Sequence, residues 1–507
     1  MNKLIFGDCL DILKKLLREN PNGFIDLIYI DPPFNSKRNY NILFEQADLK
    51  DTKAQKEAFA DTWSNISYKD TLEEIKSIDL DLFKFLESLD NIRVSKSAVS
   101  YLTTMSIRIH YIHKALKDTG SFYLHCDPNM SHYLKLVCDL IFGNDNFRNE
   151  IIWHYSGRRM VSANRFNSKH DVILFYAKSK KTKIIGYPTE PYTREEYISM
   201  KKQEVHVDED NREWIWGHSG KGKSHDYRIY IDEVVEKGRA IDSVWDIPII
   251  NTSSRERLGY PTQKPELLLE RIIKASSKEN DLVCDLFCGC GTTIAVSQRM
   301  KRSWIGVDIS HLAIGLIEKR LAKLHDEKAT GYKIKNTYEI DGLPEDSASA
   351  RKLAEEAEKG RLKFQDWIIE TKLGGVHNPK KTADGGWDGH LTFDFLDKKE
   401  IVLVEVKSGS FPISQFRGFM HVVRKQEAAM GIWVCFKDRI TKGMRLEAKN
   451  EGYFKIDYFG TRYDKIQIIS VEELLDGKEI DMPETSITTF KTATKVDRSK
   501  EAQMKLL

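Results

Sequence analysis

The sequence predicts an α/β protein in two units: a large doubly wound sheet, then a smaller α/β domain. Three observations carry that expectation. Over about the first 340 residues, short apolar runs alternate with amphipathic stretches. Within that span DLVCDLF (281–287) passes directly into a glycine-rich turn and a helix. Past a polar break at YEIDGLPEDSASA (338–350) the apolar runs resume, and 507 residues are enough for two or three separate cores.

Taken in order, the strand candidates are FIDLIYID (24–31), GSFYLHCD (120–127), NEIIWHY (149–155), DVILFYA (171–177), DLVCDLF and SWIGVDI (303–309). The first ends in Asp31-Pro32-Pro33-Phe34. Neither proline can donate to a ladder, so the turn is rigid and its carbonyls have few local donors. Residues 181–258 are polar and rich in glycine and charge, which suggests an irregular accessory insertion. A charged helix is expected over 350–373, followed by the strand pair GGWDGHLTFDF (385–395) and IVLVEVKSG (401–409). The expected boundaries are therefore 1–340, 341–475, and a polar, loosely ordered tail at 476–507.

No apolar stretch reaches the length of a membrane span, and the N-terminus lacks a charged-then-apolar signal pattern. A cytoplasmic protein without membrane partners is expected. Seven cysteines, an odd number, argue against a disulfide framework. The net charge of +3 decides little, but residues 154–183 concentrate eight Lys or Arg against a single acid, Asp171. With aromatics interleaved, that stretch suits a polyanion with stackable bases, or else a solvated basic face.

In DLFCGCGTT (285–293) small residues let a ligand approach the backbone, and the following helix offers free N–H groups. Asp308, ending the next strand, suits ribose hydroxyls. Loop and acid together point to an adenosine-containing cofactor. Cys284, Cys288 and Cys290 lie close in sequence, but no nearby histidine or fourth cysteine completes a tetrahedral zinc set, so they suit turn packing instead.

DPPF, PTQKP (261–265) and DLFCGCGTT, in that order, resemble the β-class of amino-directed DNA methyltransferases. GDCLDIL (7–13), FADTW (59–63), GSFYLHCD, the NEIIWHY and HDVILFYAKS pair, and WIGVDIS extend the resemblance over nearly all of residues 1–325. It implies a circularly permuted Rossmann-like, S-adenosylmethionine-dependent domain in which the catalytic strand precedes the cofactor strand. Its partner would be double-stranded DNA, its target base flipped from the helix. By the resemblance, Asp31 and a carbonyl of Pro32 or Pro33 accept both hydrogens of an exocyclic amine, and Phe34 stacks on the base. Asp285, Phe287, Cys288, Gly289, Gly291 and Thr292 belong to the cofactor site, with Asp308 on the ribose, Asp8 at the adenine end and Lys264 closing it. Adenine N6 is favoured, because N4-cytosine members tend to carry Ser in place of Asp31; N4-cytosine is the alternative. The insertion lies where the family keeps its target-recognition region, which makes Arg158, Arg159, Trp214, Trp216 and Lys221 candidates for DNA contact. The two tryptophans suit a small local core equally well. His110, His113, His125 and His132 repeat no ligand spacing and are expected in the core or facing DNA.

In the second unit Asp388 precedes one strand, and Glu405 and Lys407 alternate onto one face of the next. Two carboxylates with a lysine suit Mg2+ and the activation of water. The pattern resembles the PD-(D/E)xK nuclease fold, and GGWDG followed by EVK is similar to Mrr-like restriction endonucleases, with Trp387 where the motif has proline. Glu370 on the preceding helix is a further carboxylate candidate. The resemblance implies a restriction-endonuclease-like domain joined to a modification enzyme. Either it cleaves with Mg2+, or it serves as a DNA-binding accessory of a modification-only methyltransferase. A homodimer stays open.

Overall fold

The computed structural model describes residues 2–33, 68–92, 96–156, 166–186, 189–217, 227–251, 254, 256–258, 260, 262–324, 337–356, 359–378, 385–395, 398–455 and 461–483. The first unit is built on a nine-stranded mixed sheet. Its strands in chain order are β1 (Asn2–Phe6), β2 (Ile25–Ile30), β3 (Leu116–Cys126), β4 (Phe147–His154), β5 (His170–Ala177), β6 (Val244–Asp246), β7 (Leu282–Asp285), β8 (Ser303–Asp308) and β9 (Tyr338–Asp341). Across the sheet they run β6-β4-β5-β3-β2-β7-β8-β1-β9. β5 opposes both of its neighbours, and the other pairs are parallel.

β2 shows why the sheet is covered on both faces. Ile28 and Ile30 enter one core with Leu13, Leu82, Leu102 and Leu134 from helices. Leu27 and Tyr29 enter the other, against Leu268, Leu269 and Ile272. A strand buried on both sides is a nearly continuous apolar run, as IDLIYI is. β1 has no counterpart among the expected strands. It is five residues long, yet it is an interior strand, held between β8 and the edge strand β9.

The insertion is more regular than its composition suggests. Three short antiparallel strands (His206–Val207, Glu213–Gly217, Tyr227–Tyr230) close a small core of Tyr197, Ile215 and Ile231. Its last part, β6, returns to the edge of the main sheet beside β4. Strands of two to five residues carry too little alternation to stand out from a polar background.

A second, five-stranded sheet follows, with β10 (Val376–His377), β11 (Gly389–Phe395), β12 (Lys398–Lys407), β13 (Met430–Cys435) and β14 (Ile466–Ser470) in sequential order. The first three strands pair antiparallel, and β12, β13 and β14 are parallel. Val402, Val404 and Val406 enter one core with Phe364, Trp367 and Ile369. Leu403 enters the other with Phe416, Phe419 and Trp433.

The single helix expected over 350–373 is in fact three pieces: Ser347–Glu355, Gly360–Asp366 and a π-helical turn, Trp367–Leu373. The first break falls at Lys359, whose φ of +59° is left-handed, and at Gly360, where a Cβ would lie 2.6 Å from the Leu353 carbonyl oxygen. The π turn touches the first unit. Thr371 Oγ1 donates to the His311 carbonyl at 3.1 Å, and Gly315 lets the Thr371 backbone approach.

Candidate active site

β2 and β7 are parallel neighbours, so the turn after one adjoins the turn after the other. The first is Asp31-Pro32-Pro33; the second is the loop Leu286–Gly291 leading into the helix Thr292–Arg299. β8 lies on the far side of β7 and ends at Asp308. Asp31 and Asp308 therefore flank the glycine loop at one edge of the sheet, with Asp285 at the root of the loop.

The loop depends on glycine for two reasons. Gly289 and Gly291 have φ of +49° and +74°, and a Cβ on Gly291 would lie 2.5 Å from Ile317 Cγ1. Asp308 accepts the N–H of Gly289 and of Ser310, each at 2.8 Å. Asp285 accepts from Thr293 Oγ1 at 2.5 Å and from the Phe287 N–H at 3.1 Å. Burial pushes the Asp285 carboxyl up to about 7, with Asp31 and Asp308 adding to the effect. Burial also pushes Asp308 up to about 6. Cys284 lies in β7, and Cys288 and Cys290 are buried in the loop, where desolvation raises their thiols. Among the described residues no three His, Cys, Asp or Glu side chains are grouped to hold a metal ion.

The Lys264 ammonium forms an ion pair with Asp31, while the Lys264 carbonyl accepts from Thr292 Oγ1 at 3.3 Å. One residue thus touches both halves of the cleft. The support beneath it is charged. Arg320 donates to Thr292 Oγ1 and to the Cys290 carbonyl, both at 3.2 Å, and to Glu266 at 2.7 Å. Arg299 donates to the other Glu266 oxygen at 2.5 Å. Burial would raise the Glu266 carboxyl, but the two guanidiniums outweigh it and hold it below its usual value. Tyr260 lays its ring against Gly289, 3.3 Å from where a Cβ would stand. The sequence reading did not single out Glu266, Arg299, Arg320 or Tyr260. Their one sequence signal is that Tyr260 and Glu266 adjoin PTQKP; nothing marks the two arginines.

Asp8 is near the cofactor strands, since the Gly7 N–H donates to the Asp308 carbonyl. Both of its carboxylate oxygens are engaged, however, one by the Leu10 N–H at helix Cys9–Glu19 and one by Arg108 at 2.7 Å. Phe34, Arg158, Arg159, Lys221 and the FADTW segment lie outside the described residues. Trp214 is buried and Trp216 is 40% exposed, their rings edge to face at 4.7 Å. His125 is buried between Tyr29, whose hydroxyl meets Nδ1 at 3.0 Å, and Asp171.

In the second sheet Asp388 lies beside the segment bearing Glu405 and Lys407. Its carboxylate accepts the Val406 N–H at 2.8 Å and the Gln365 amide at 2.9 Å. Lys407 bonds Glu405 at 2.5 Å, above the Trp433 ring. Glu370 does not join this group. It bonds His377 at 2.5 Å, and the helical residue that reaches Asp388 is Gln365.

With this geometry in view, comparison with known proteins is decisive for the first unit. Residues 25–319, more than half of the chain, match the N6/N4 methyltransferase model described as DNA methylase. The chain belongs to this DNA methylase family. The DNA adenine methyltransferase YhdJ of Escherichia coli K12 is 26% identical over 321 residues, 63% of this chain and 82% of that protein. The type II methyltransferase M.HinfI of Haemophilus influenzae is 26% identical over 329 residues, 64% of this chain and 69% of that one. Among solved structures, a putative DNA modification methylase of Thermus thermophilus aligns over 68% of this chain and all of its own, at 17% identity and a TM-score of 0.35. Among the described residues, no helix is long and apolar enough to cross a membrane.

Proposed function

We propose that this methylase transfers a methyl group from S-adenosylmethionine to the N6 amine of a flipped adenine in duplex DNA. The observation that carries the reading is the placement of the Asp31-Pro32-Pro33 turn beside the glycine loop, with Asp308 on the loop's other flank. The residues suit the cofactor: the loop turns on two left-handed glycines that add no side chain over its backbone, and a buried acid at the next strand end is held by two backbone amides. Phe287, Cys288, Gly289, Gly291 and Thr292 would line its methionine side, and Asp308 would take its ribose. When bound, the cofactor supplies a methyl group already activated by a sulfonium.

The protein's own task is then directional. An exocyclic amine is a weak nucleophile because its lone pair is delocalised into the ring. Asp31 and a proline carbonyl accept its two hydrogens, which returns the lone pair to nitrogen and aims it along the cleft. The prolines hold those acceptors still, so no reorganisation is needed as charge develops. The acid in DPPF supports adenine; N4-cytosine is the second reading. Asp8, held by the Leu10 N–H and by Arg108, would meet the adenine end of the cofactor with the lone pairs left on its carboxylate.

For the second sheet the proposal is a Mg2+-dependent nuclease of the PD-(D/E)xK type. Asp388 and Glu405 would hold the metal, a two-carboxylate set that Mg2+ accepts with water filling the rest, and Lys407 would orient the attacking water. The alternative is an accessory that binds DNA without cutting.

The test is incubation with unmethylated DNA, with and without S-adenosylmethionine and Mg2+. Methylated adenine is read by sequencing and cleavage on a gel, for the wild type, Asp31→Ala and Lys407→Ala. Methylation lost with Asp31→Ala and cutting lost with Lys407→Ala is the expected result. Absence of methyl transfer to any DNA would overturn the first reading, and absence of cutting with every divalent metal would leave the accessory.

A further inference from the structure

We propose that Lys264 is a positioning residue that makes acceptance of the target base wait for the cofactor. Its ammonium holds Oδ2 of the Asp31 carboxylate until an anion bound at the glycine loop draws it away. The inference rests on the reading that this loop and Asp308 hold S-adenosylmethionine.

A base amine held by Asp31 has to share that carboxylate with any cation already on it. In the present arrangement Lys264 is paired with Oδ2 of Asp31, and both side chains are largely buried, 12% and 15% exposed. A shielded pair of this kind is poorly screened, so it does not dissolve by itself when a neutral base arrives. The other two acids at this edge do not compete for the ammonium. Asp285 and Asp308 are satisfied by backbone N–H groups and a hydroxyl.

Lys264 can nonetheless move without the main chain moving. Its carbonyl is bonded by Thr292, the next helix is capped at Pro265, and the Glu266 N–H and carboxylate are fixed by Glu256, Arg299 and Arg320. That leaves a four-carbon stem pivoting on an anchored backbone. From this anchor the ammonium is in electrostatic reach of the glycine loop, where it favours the thiolate of Cys290. S-adenosylmethionine carries an α-carboxylate on its methionine end, the end assigned to this loop. Its binding would bring a second anion to the loop beside which Lys264 is anchored. Two states then exist, ammonium on Asp31 or ammonium on the ligand, and the ligand stabilises the second by its differential affinity. In the second state Asp31 is released to accept a base.

The experiment follows extrusion of the base rather than turnover. The recognition sequence is first mapped by sequencing DNA methylated by the full-length protein. A duplex with 2-aminopurine beside the target adenine then reports, by its fluorescence rise, when the target leaves the stack. S-adenosylhomocysteine, which keeps the α-carboxylate but has no methyl group to give, is the probe. For the wild type, the rise with the probe is expected to be at least ~10-fold greater than without it, a coupling of about 1.4 kcal/mol or more. Lys264→Met is expected to extrude the base equally with and without the probe, while Lys264→Arg keeps the dependence. Lys264→Gln, a second uncharged side chain at the same place, is expected to lose the dependence too, so the outcome does not hang on one variant's folding. Equal extrusion by the wild type in both conditions, or a dependence retained in either folded uncharged variant, Lys264→Met or Lys264→Gln, would overturn the proposal while leaving a working methylase. If no DNA is methylated at all, the functional reading falls and takes this one with it.

Discussion

Each of the two sheets carries an acid paired with a lysine, and the two pairs are made in opposite ways. Glu405 and Lys407 are two residues apart on β12, and their meeting follows from strand alternation alone. Asp31 and Lys264 are 233 residues apart and meet only when β2, the main sheet and the segment after the insertion are all in place. A local pair forms wherever its strand forms. A distant pair is conditional on tertiary structure, and a condition of that kind can be changed by a ligand. The contrast suits their proposed tasks, a fixed water-orienting group in one site and a displaceable cation in the other.

The largest expected effect separates the sites outright. Asp31→Ala should lower methyl transfer by about 10³-fold or more, the scale expected for removing a preorganised partner of the reacting group, with cleavage unchanged. Transfer of labelled methyl and a cutting assay on the same preparation check this; a parallel loss of both would mean the two sites are not independent. The converse variant, Lys407→Ala, should abolish Mg2+-dependent cutting with methylation intact.

A third effect probes what the distant site costs the fold. Asp285 is raised to about 7 by burial, above its value in an unfolded chain, so its neutral form is the one that stabilises the protein. That contribution is complete at acid pH and is lost as pH rises through about 7. Asp285→Asn should remove the loss: melting temperatures of wild type and variant should draw apart between pH 4 and 8, with the wild type falling relative to the variant. A constant difference across that range would mean the charge is compensated elsewhere. The smallest effect is expected from Gly291→Ala. The left-handed φ and the contact at 2.5 Å with Ile317 should weaken cofactor binding by about 10- to 100-fold, or 1–3 kcal/mol, as measured by titration calorimetry with S-adenosylhomocysteine.

The same contrast explains what was legible in the sequence. Features set by neighbours along the chain could be read: β2 from its apolar run, the two glycines from their spacing, and the shared face of Glu405 and Lys407 from alternation. Features set by distant partners could not. Nothing in PTQKP says that its lysine meets Asp31, and nothing near Arg320 says that it ties Glu266 to the glycine loop. The engagement of Asp8 by Arg108, a hundred residues on, was equally hidden. So was the π-helical turn, because a side chain's reach shifts when a helix changes pitch, and Gln365 rather than Glu370 faces Asp388. β1 escaped notice for another reason: five residues carry little pattern, even when both of their edges end up paired.

That pairing has a consequence for how the protein is made. β1 is held on one side by β8 and on the other by β9, both of which leave the ribosome more than 290 residues later. At roughly 5–20 residues per second, its first neighbour follows it by about 15 to 60 seconds. During synthesis β1 must wait, unpaired on both edges, for the end of the methylase unit to arrive.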